Sequence, residues 1–78
     1  MIALKPENIV DVLFGNRLRQ LLDERNISQA HFADRIGVSR SRMNNYVAQR
    51  SEPDYATLIR IANTLDTTID FLLGKSEH

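Results

Sequence analysis

Two serines, Ser28 and Ser39, stand eleven residues apart with Ala33 and Gly37 between them, and that spacing leaves the chain few folds to choose from. Each serine suits the position just before a helix, where a hydroxyl accepts from a backbone N–H that has no partner inside the helix. After Ser28, the residues Phe32, Ala33 and Ile36 fall on one helical face. Gly37 then tolerates the positive φ that ends a helix. Two helices joined by three or four residues must cross steeply. Ala33 is small enough for the two backbones to meet, and Val38 plugs the turn. Met43 and Tyr46, three apart, face inward from the second helix.

The remaining punctuation completes an all-helical chain of 78 residues, the size of one domain. Phe14, Leu18, Leu21 and Leu22 recur at helical spacing, so a first helix is expected from near Glu7 to Arg25, with Pro6 in its first turn and Asn26 as a left-handed stop. Gly15 is expected to weaken it. Ser39 opens a third helix that ends near Ala48. Gln49 to Pro53 reads as a loop. Asp54 caps a fourth helix with a stripe of Leu58, Ile61, Ala62 and Leu65. Thr68 caps a short fifth with Ile69, Phe71, Leu72 and Leu73, closed by Gly74. Sustained strand alternation is absent from the sequence. The expected organisation is an N-terminal extension at 1–13, a domain at 14–74 and a tail at 75–78.

Formal net charge is zero, but the charge is unevenly spread. Arg35, Arg40, Arg42 and Arg50 make the stretch 35–50 locally +4 with no acid, while 1–34 carries −1 and 51–78 carries −3. A local basic patch can hold phosphates on a neutral molecule. The third helix sits inside that patch. Its outward face carries Ser41, Asn44, Asn45 and Ala48, with Arg40 and Arg42 at its N-terminal end.

Phe14-Gly15-Asn16-Arg17-Leu18-Arg19, Ile27-Ser28-Gln29-Ala30-His31-Phe32-Ala33 and Ile36-Gly37-Val38-Ser39 together resemble the lambda-repressor-like, or Xre-type, helix-turn-helix family. Pro53-Asp54, Thr57-Leu58, Ile61-Ala62, Leu65 and Phe71-Leu72-Leu73-Gly74 extend the likeness over roughly residues 14–74. The resemblance implies a five-helix domain that binds a palindromic operator in double-stranded DNA as a homodimer, with the third helix in the major groove. By position it implies base contacts at Arg40, Ser41 and Asn45. It implies that Gln29 contacts backbone phosphate and braces the recognition helix, and that Arg42 lies nearer the phosphates. The chain departs from the family pattern at one place. Val47 and Ala48 replace a polar pair and Gln49 replaces the glycine that follows it, so the exit from the third helix is expected to differ.

The chemistry of the side chains agrees with those roles. Arg40 can pair with guanine O6 and N7, and Asn45 with adenine N6 and N7, because each presents a two-pronged edge. The alternative for both is plain solvated surface. Arg50, in the loop after the third helix, is either a phosphate contact or a surface arginine. Arg17 and Arg19 are expected to be solvated or paired with Asp23. Tyr46 belongs to the core rather than to a stacking platform. The apolar residues Ile2, Leu4, Ile9, Val10, Val12 and Leu13 either cover the core or form a dimer contact.

Other functions find little support. The chain has no cysteine and only His31 and His78, so no metal or cofactor is expected. Ser39 and Ser41 have no base arranged to activate them, and an enzyme is not expected. No small-molecule ligand is evident. No leader and no membrane-spanning run is seen, and a cytoplasmic location is expected. The expected function is sequence-specific DNA binding in transcriptional regulation. The alternative is a protein-interaction module or antitoxin-type partner that retains the fold, a reading favoured by the zero net charge and the polar 49–53 loop.

Overall fold

The computed structural model describes residues 6–74, with side chains over 14–74. The order is α1 (Pro6–Glu24), α2 (Gln29–Ile36), α3 (Arg40–Val47), α4 (Tyr55–Thr64) and α5 (Ile69–Leu72). Residues 6–13 continue directly into 14–24 as a single helix. The side chains of Ile9, Val10, Val12 and Leu13, like Ile2, Leu4 and the 75–78 tail, lie outside the described residues.

Helices of four to ten residues, as α2 to α5 are, are marginal alone, so caps and packing must hold them. All four capping residues read from the sequence act as caps. The Ser28 hydroxyl accepts from the His31 amide at 3.0 Å and the Ser39 hydroxyl from the Arg42 amide at 3.0 Å. The Asp54 carboxylate accepts from the Thr57 amide at 2.9 Å and the Thr68 hydroxyl from the Phe71 amide at 3.0 Å.

The C-terminal ends of α1 to α4 share one device. At each, the chain turns through a residue of positive φ: Asn26 (56°), Gly37 (80°), Gln49 (65°) and Asp66 (54°). The next residue then donates back five positions, Ile27 to Leu22, Val38 to Ala33, Arg50 to Asn45 and Thr67 to Ala62, each within 3.0 Å. These are Schellman ends, which satisfy carbonyls that the helix leaves free. Gly37 and Asn26 are the residue types suited to that conformation. Asp66 is of a type that visits it more often than most, and Gln49 adopts it against a side-chain penalty. At the departure from the family pattern, Gln49 takes a left-handed conformation of the kind a glycine adopts readily.

The core is drawn from every helix. Leu18, Phe32, Ala33, Met43, Ile61 and Leu72 have no exposed surface, and Phe14, Leu21, Leu22, Ile36, Tyr46, Ala62 and Leu65 are buried with them. Helix α2 packs on α3 and α4, and α1 packs on α3 and α5. Ala33 sits in the joint between α2 and α3, where its carbonyl accepts from both Gly37 and Val38.

Two expectations are corrected. Gly15 is not simply a weak point in α1. It is buried where α1 meets the end of α3, and a β-carbon there would fall 2.7 Å from the Val47 carbonyl oxygen and 2.4 Å from Gln49 Cγ. Arg17 is neither free in solvent nor committed to Asp23. Its guanidinium donates to the Phe71 carbonyl at 3.2 Å and lies 4.5 Å from the centre of the Phe71 ring, tying α1 to α5.

Candidate nucleic-acid interface

Met43 and Tyr46 bury the inner face of α3, and the 100° turn per residue then decides what remains outside. Arg40, Ser41, Arg42, Asn44 and Ala48 are exposed, and Asn45 and Val47 are half-buried. The Ser39 hydroxyl accepts from the Arg42 amide and so caps the first turn of α3. The result is an eight-residue helix, about 12 Å long at 1.5 Å per residue, with a polar outer side.

Two arginines at that face, Arg40 and Arg50, are engaged within the domain. Arg40 is held by Asp34 of α2: Nη2 donates to Oδ2 at 2.8 Å and Nε to Oδ1 at 3.3 Å. Both side chains stay open to solvent, 68% exposed for Arg40 and 56% for Asp34. The hydrogen bond from Arg40 holds the Asp34 carboxyl below the usual carboxylate range, and the same bond raises Arg40 above the ordinary arginine value. Arg40 is thus clasped across the turn to α2.

Asn45 and Arg50 are brought together. Arg50 Nε donates to Asn45 Oδ1 at 3.1 Å. The Schellman bond from the Arg50 amide to the Asn45 carbonyl, at 2.9 Å, positions the backbone for this contact. Arg42 faces Asp54. Hydrogen bonds from Thr57 hold the Asp54 carboxyl below the usual range, and the charges of Arg42 and Arg60 add to the effect. Gln29 is half-buried as the first residue of α2, and among the described residues no hydrogen bond joins it to α3.

Two residues of the site escape a reading by sequence pattern. Asp34 lies one position before the acid-free stretch begins, yet it faces the arginine at that stretch's helical end. Arg60, on α4, donates to the Ile36 carbonyl at 2.8 Å and so places a positive charge at the C-terminus of α2, beside the turn. Among the described residues there is no grouping of His, Cys, Asp and Glu that could hold a metal, and no helix long and apolar enough to cross a membrane.

Comparison with known proteins agrees with this geometry. The family model described as Helix-turn-helix matches residues 18–72, which includes all of α2 to α5. The uncharacterized HTH-type transcriptional regulator YqaE of Bacillus subtilis is 36% identical over 67 residues, 85% of this chain and 58% of that protein. The SPbeta prophage-derived uncharacterized HTH-type transcriptional regulator YonR of the same organism is 36% identical over 66 residues, 85% of this chain and 60% of that protein. The HTH-type transcriptional regulator ImmR, also of Bacillus subtilis, is 29% identical over 63 residues, 81% of this chain and 50% of that protein. The chain thus spans half to three-fifths of the length of these curated relatives. No solved structure matches it significantly. With the short α2–α3 joint, its two serine caps and the left-handed Gly37 in place, the chain belongs to the lambda-repressor-like, Xre-type helix-turn-helix family.

Proposed function

We propose that this domain regulates transcription by binding duplex DNA sequence-specifically, with α3 seated in the major groove. The observation that carries this reading is the outer face of α3: a capped helix, anchored by buried Met43 and Tyr46, whose exposed side is polar and whose first-turn residues Arg40, Ser41 and Arg42 are all exposed. Relatives that share most of this chain are named transcriptional regulators. It is a binding function and needs no catalytic group.

In this reading Arg40, Ser41 and Asn45 meet base edges, and Gln29, Arg42 and Arg50 meet phosphates. Phosphate contacts fix position and base contacts carry sequence. Helix α3 covers about 12 Å, whereas one turn of duplex is about 34 Å, so one domain reads only part of a turn. A homodimer on a palindromic operator, with half-sites about one turn apart, supplies the rest.

The test is selection of bound sequences from a random duplex library, followed by titration of the winner and of random duplex at rising salt. The expected result is a palindromic consensus with affinity that falls steeply with salt. Failure to bind any duplex at low salt would overturn the reading in favour of a protein-interaction module.

A further inference from the structure

We propose that Asp34 is a specificity-determining positioning residue, which grips Arg40 by one edge of its guanidinium so that the opposite edge is presented to a guanine. The inference rests on the DNA-binding reading above and assigns a role to a residue of α2 that meets no base itself.

The geometry of the fork carries it. A guanidinium has five N–H donors fixed in one plane. Asp34 takes the side edge, Nε–H and one Nη2–H. The donors left over include the parallel pair at the far end of the fork, one on Nη1 and one on Nη2. That pair matches the O6 and N7 acceptors of guanine in the major groove. Arg40 is the first residue of α3, and with 68% of its side chain exposed the far edge is open. Arginine carries a large rotamer freedom that must be lost on binding. Anchoring to a second helix removes part of that cost before DNA arrives.

The charge of Asp34 acts in the same direction. An arginine already paired with a carboxylate attracts phosphate less, and the carboxylate itself repels it. Asp34 therefore weakens sequence-independent contacts while leaving the base-reading edge in place. The other consequence open to such a pair is competition, in which Asp34 only withholds Arg40 from DNA. The two differ in what removal of the carboxylate does to base preference.

The experiment compares the wild-type protein with Asp34→Asn, Asp34→Glu and Arg40→Ala. Binding is titrated on the selected operator, on operators changed at each base pair in turn, and on random duplex. Asp34 is exposed, and circular dichroism melts verify that each variant folds. Arg40→Ala identifies the base pair concerned, as the position where preference for guanine disappears; a bidentate contact gives about 5- to 150-fold discrimination. The expected result is that Asp34→Asn loses several-fold of that preference at the same base pair, binds random duplex as tightly as wild type or tighter, and that Asp34→Glu recovers part of the preference. Retention of the full preference by Asp34→Asn, a uniform loss on all duplexes, or a uniform gain with preference intact overturns the proposal. So does an Arg40→Ala variant with unchanged base preference. A wild-type protein that selects no sequence overturns the DNA-binding reading, and this inference with it; selection by wild type with no response to Asp34→Asn overturns this inference alone.

Discussion

Gln49 lies across Gly15. A β-carbon on Gly15 would stand 2.4 Å from Gln49 Cγ and 2.7 Å from the Val47 carbonyl oxygen, so α1 approaches the end of α3 as closely as a bare backbone permits. In most helix interiors, replacing glycine by alanine stabilises by about 1 kcal/mol. Here the sign reverses. The Gln49 side chain can swing aside, but the Val47 carbonyl is backbone and can move only with α3. Gly15→Ala is expected to destabilise by about 1–2 kcal/mol, within the range for overpacked contacts. A raised melting temperature for Gly15→Ala would show that α1 and the end of α3 can separate at little cost.

The left-handed residues at the helix ends make opposite predictions according to type. Gly37 has φ of 80° and Gln49 has φ of 65°. An L side chain in that region costs about 1–2 kcal/mol. Gly37→Ala should therefore lower stability by about 1 kcal/mol, and Gln49→Gly should raise it by up to about 1 kcal/mol. The second gain is reduced by the extra freedom of glycine in the unfolded chain. Chemical denaturation of both variants checks the pair, and equal signs would contradict the assignment.

The features that proved legible in the sequence are local ones. Ser28, Ser39, Asp54 and Thr68 are caps because a short side chain next to a helical run has one geometry available to it. Phe32, Ala33, Ile36, Met43 and Tyr46 are buried because periodicity fixes a helix face. What was not legible depends on contacts between helices. The bond from Arg17 to Phe71 spans 54 positions and that from Arg60 to Ile36 spans 24, distances at which sequence spacing carries no information. The positive φ of Gln49 was hidden for another reason: glutamine is not a residue type that favours it. In the site, counting charge along the chain separated Asp34 from the arginine it meets. The turn between α2 and α3 restores that pairing in space.

Acid should act on the cap of α4. Thr57 holds the Asp54 carboxyl below the usual range, with Arg42 and Arg60 contributing. A carboxylate whose pKa is lower in the folded state stabilises the fold above its unfolded value, and that stability is lost as pH falls through the folded value. The window therefore lies below the ordinary aspartate value of about 3.9. Wild-type melting temperature is expected to decline as pH drops below about 4. Asp54→Asn keeps a cap but cannot titrate, so its decline should be shallower. Superimposable pH profiles for the two proteins would rule out a contribution from Asp54.

Arg42 and Gln29, assigned to phosphates, should behave alike on every sequence. Arg42→Ala and Gln29→Ala are expected to weaken operator and random duplex by the same factor, since phosphate contacts carry no base information. Arg42→Ala should also reduce the slope of log affinity against log salt by about one per half-site. Gln29 is uncharged and should leave that slope unchanged. A shift in the selected consensus for either variant would move it to the base-reading set.

Asn45 and Arg50 should prove energetically coupled in DNA binding, although one is assigned to a base and the other to a phosphate. Arg50 Nε donates to Asn45 Oδ1, which fixes the amide with its oxygen toward Arg50. One lone pair of that oxygen and both amide N–H groups remain for a base. Asn45→Ala should relax preference at one base pair per half-site and cost roughly 1–3 kcal/mol on the best operator. Arg50→Ala should lower affinity generally, as loss of a phosphate contact does, and should also blur the preference at the Asn45 base pair because the amide is no longer held. Neighbouring groups that share a hydrogen bond show interaction energies of about 0.5–3 kcal/mol. The double variant should accordingly lose less than the sum of the two single losses on the operator, while on random duplex the effects add. Additivity on both duplexes would mean that the Arg50–Asn45 bond does not persist when DNA is bound, and that each side chain meets the duplex independently.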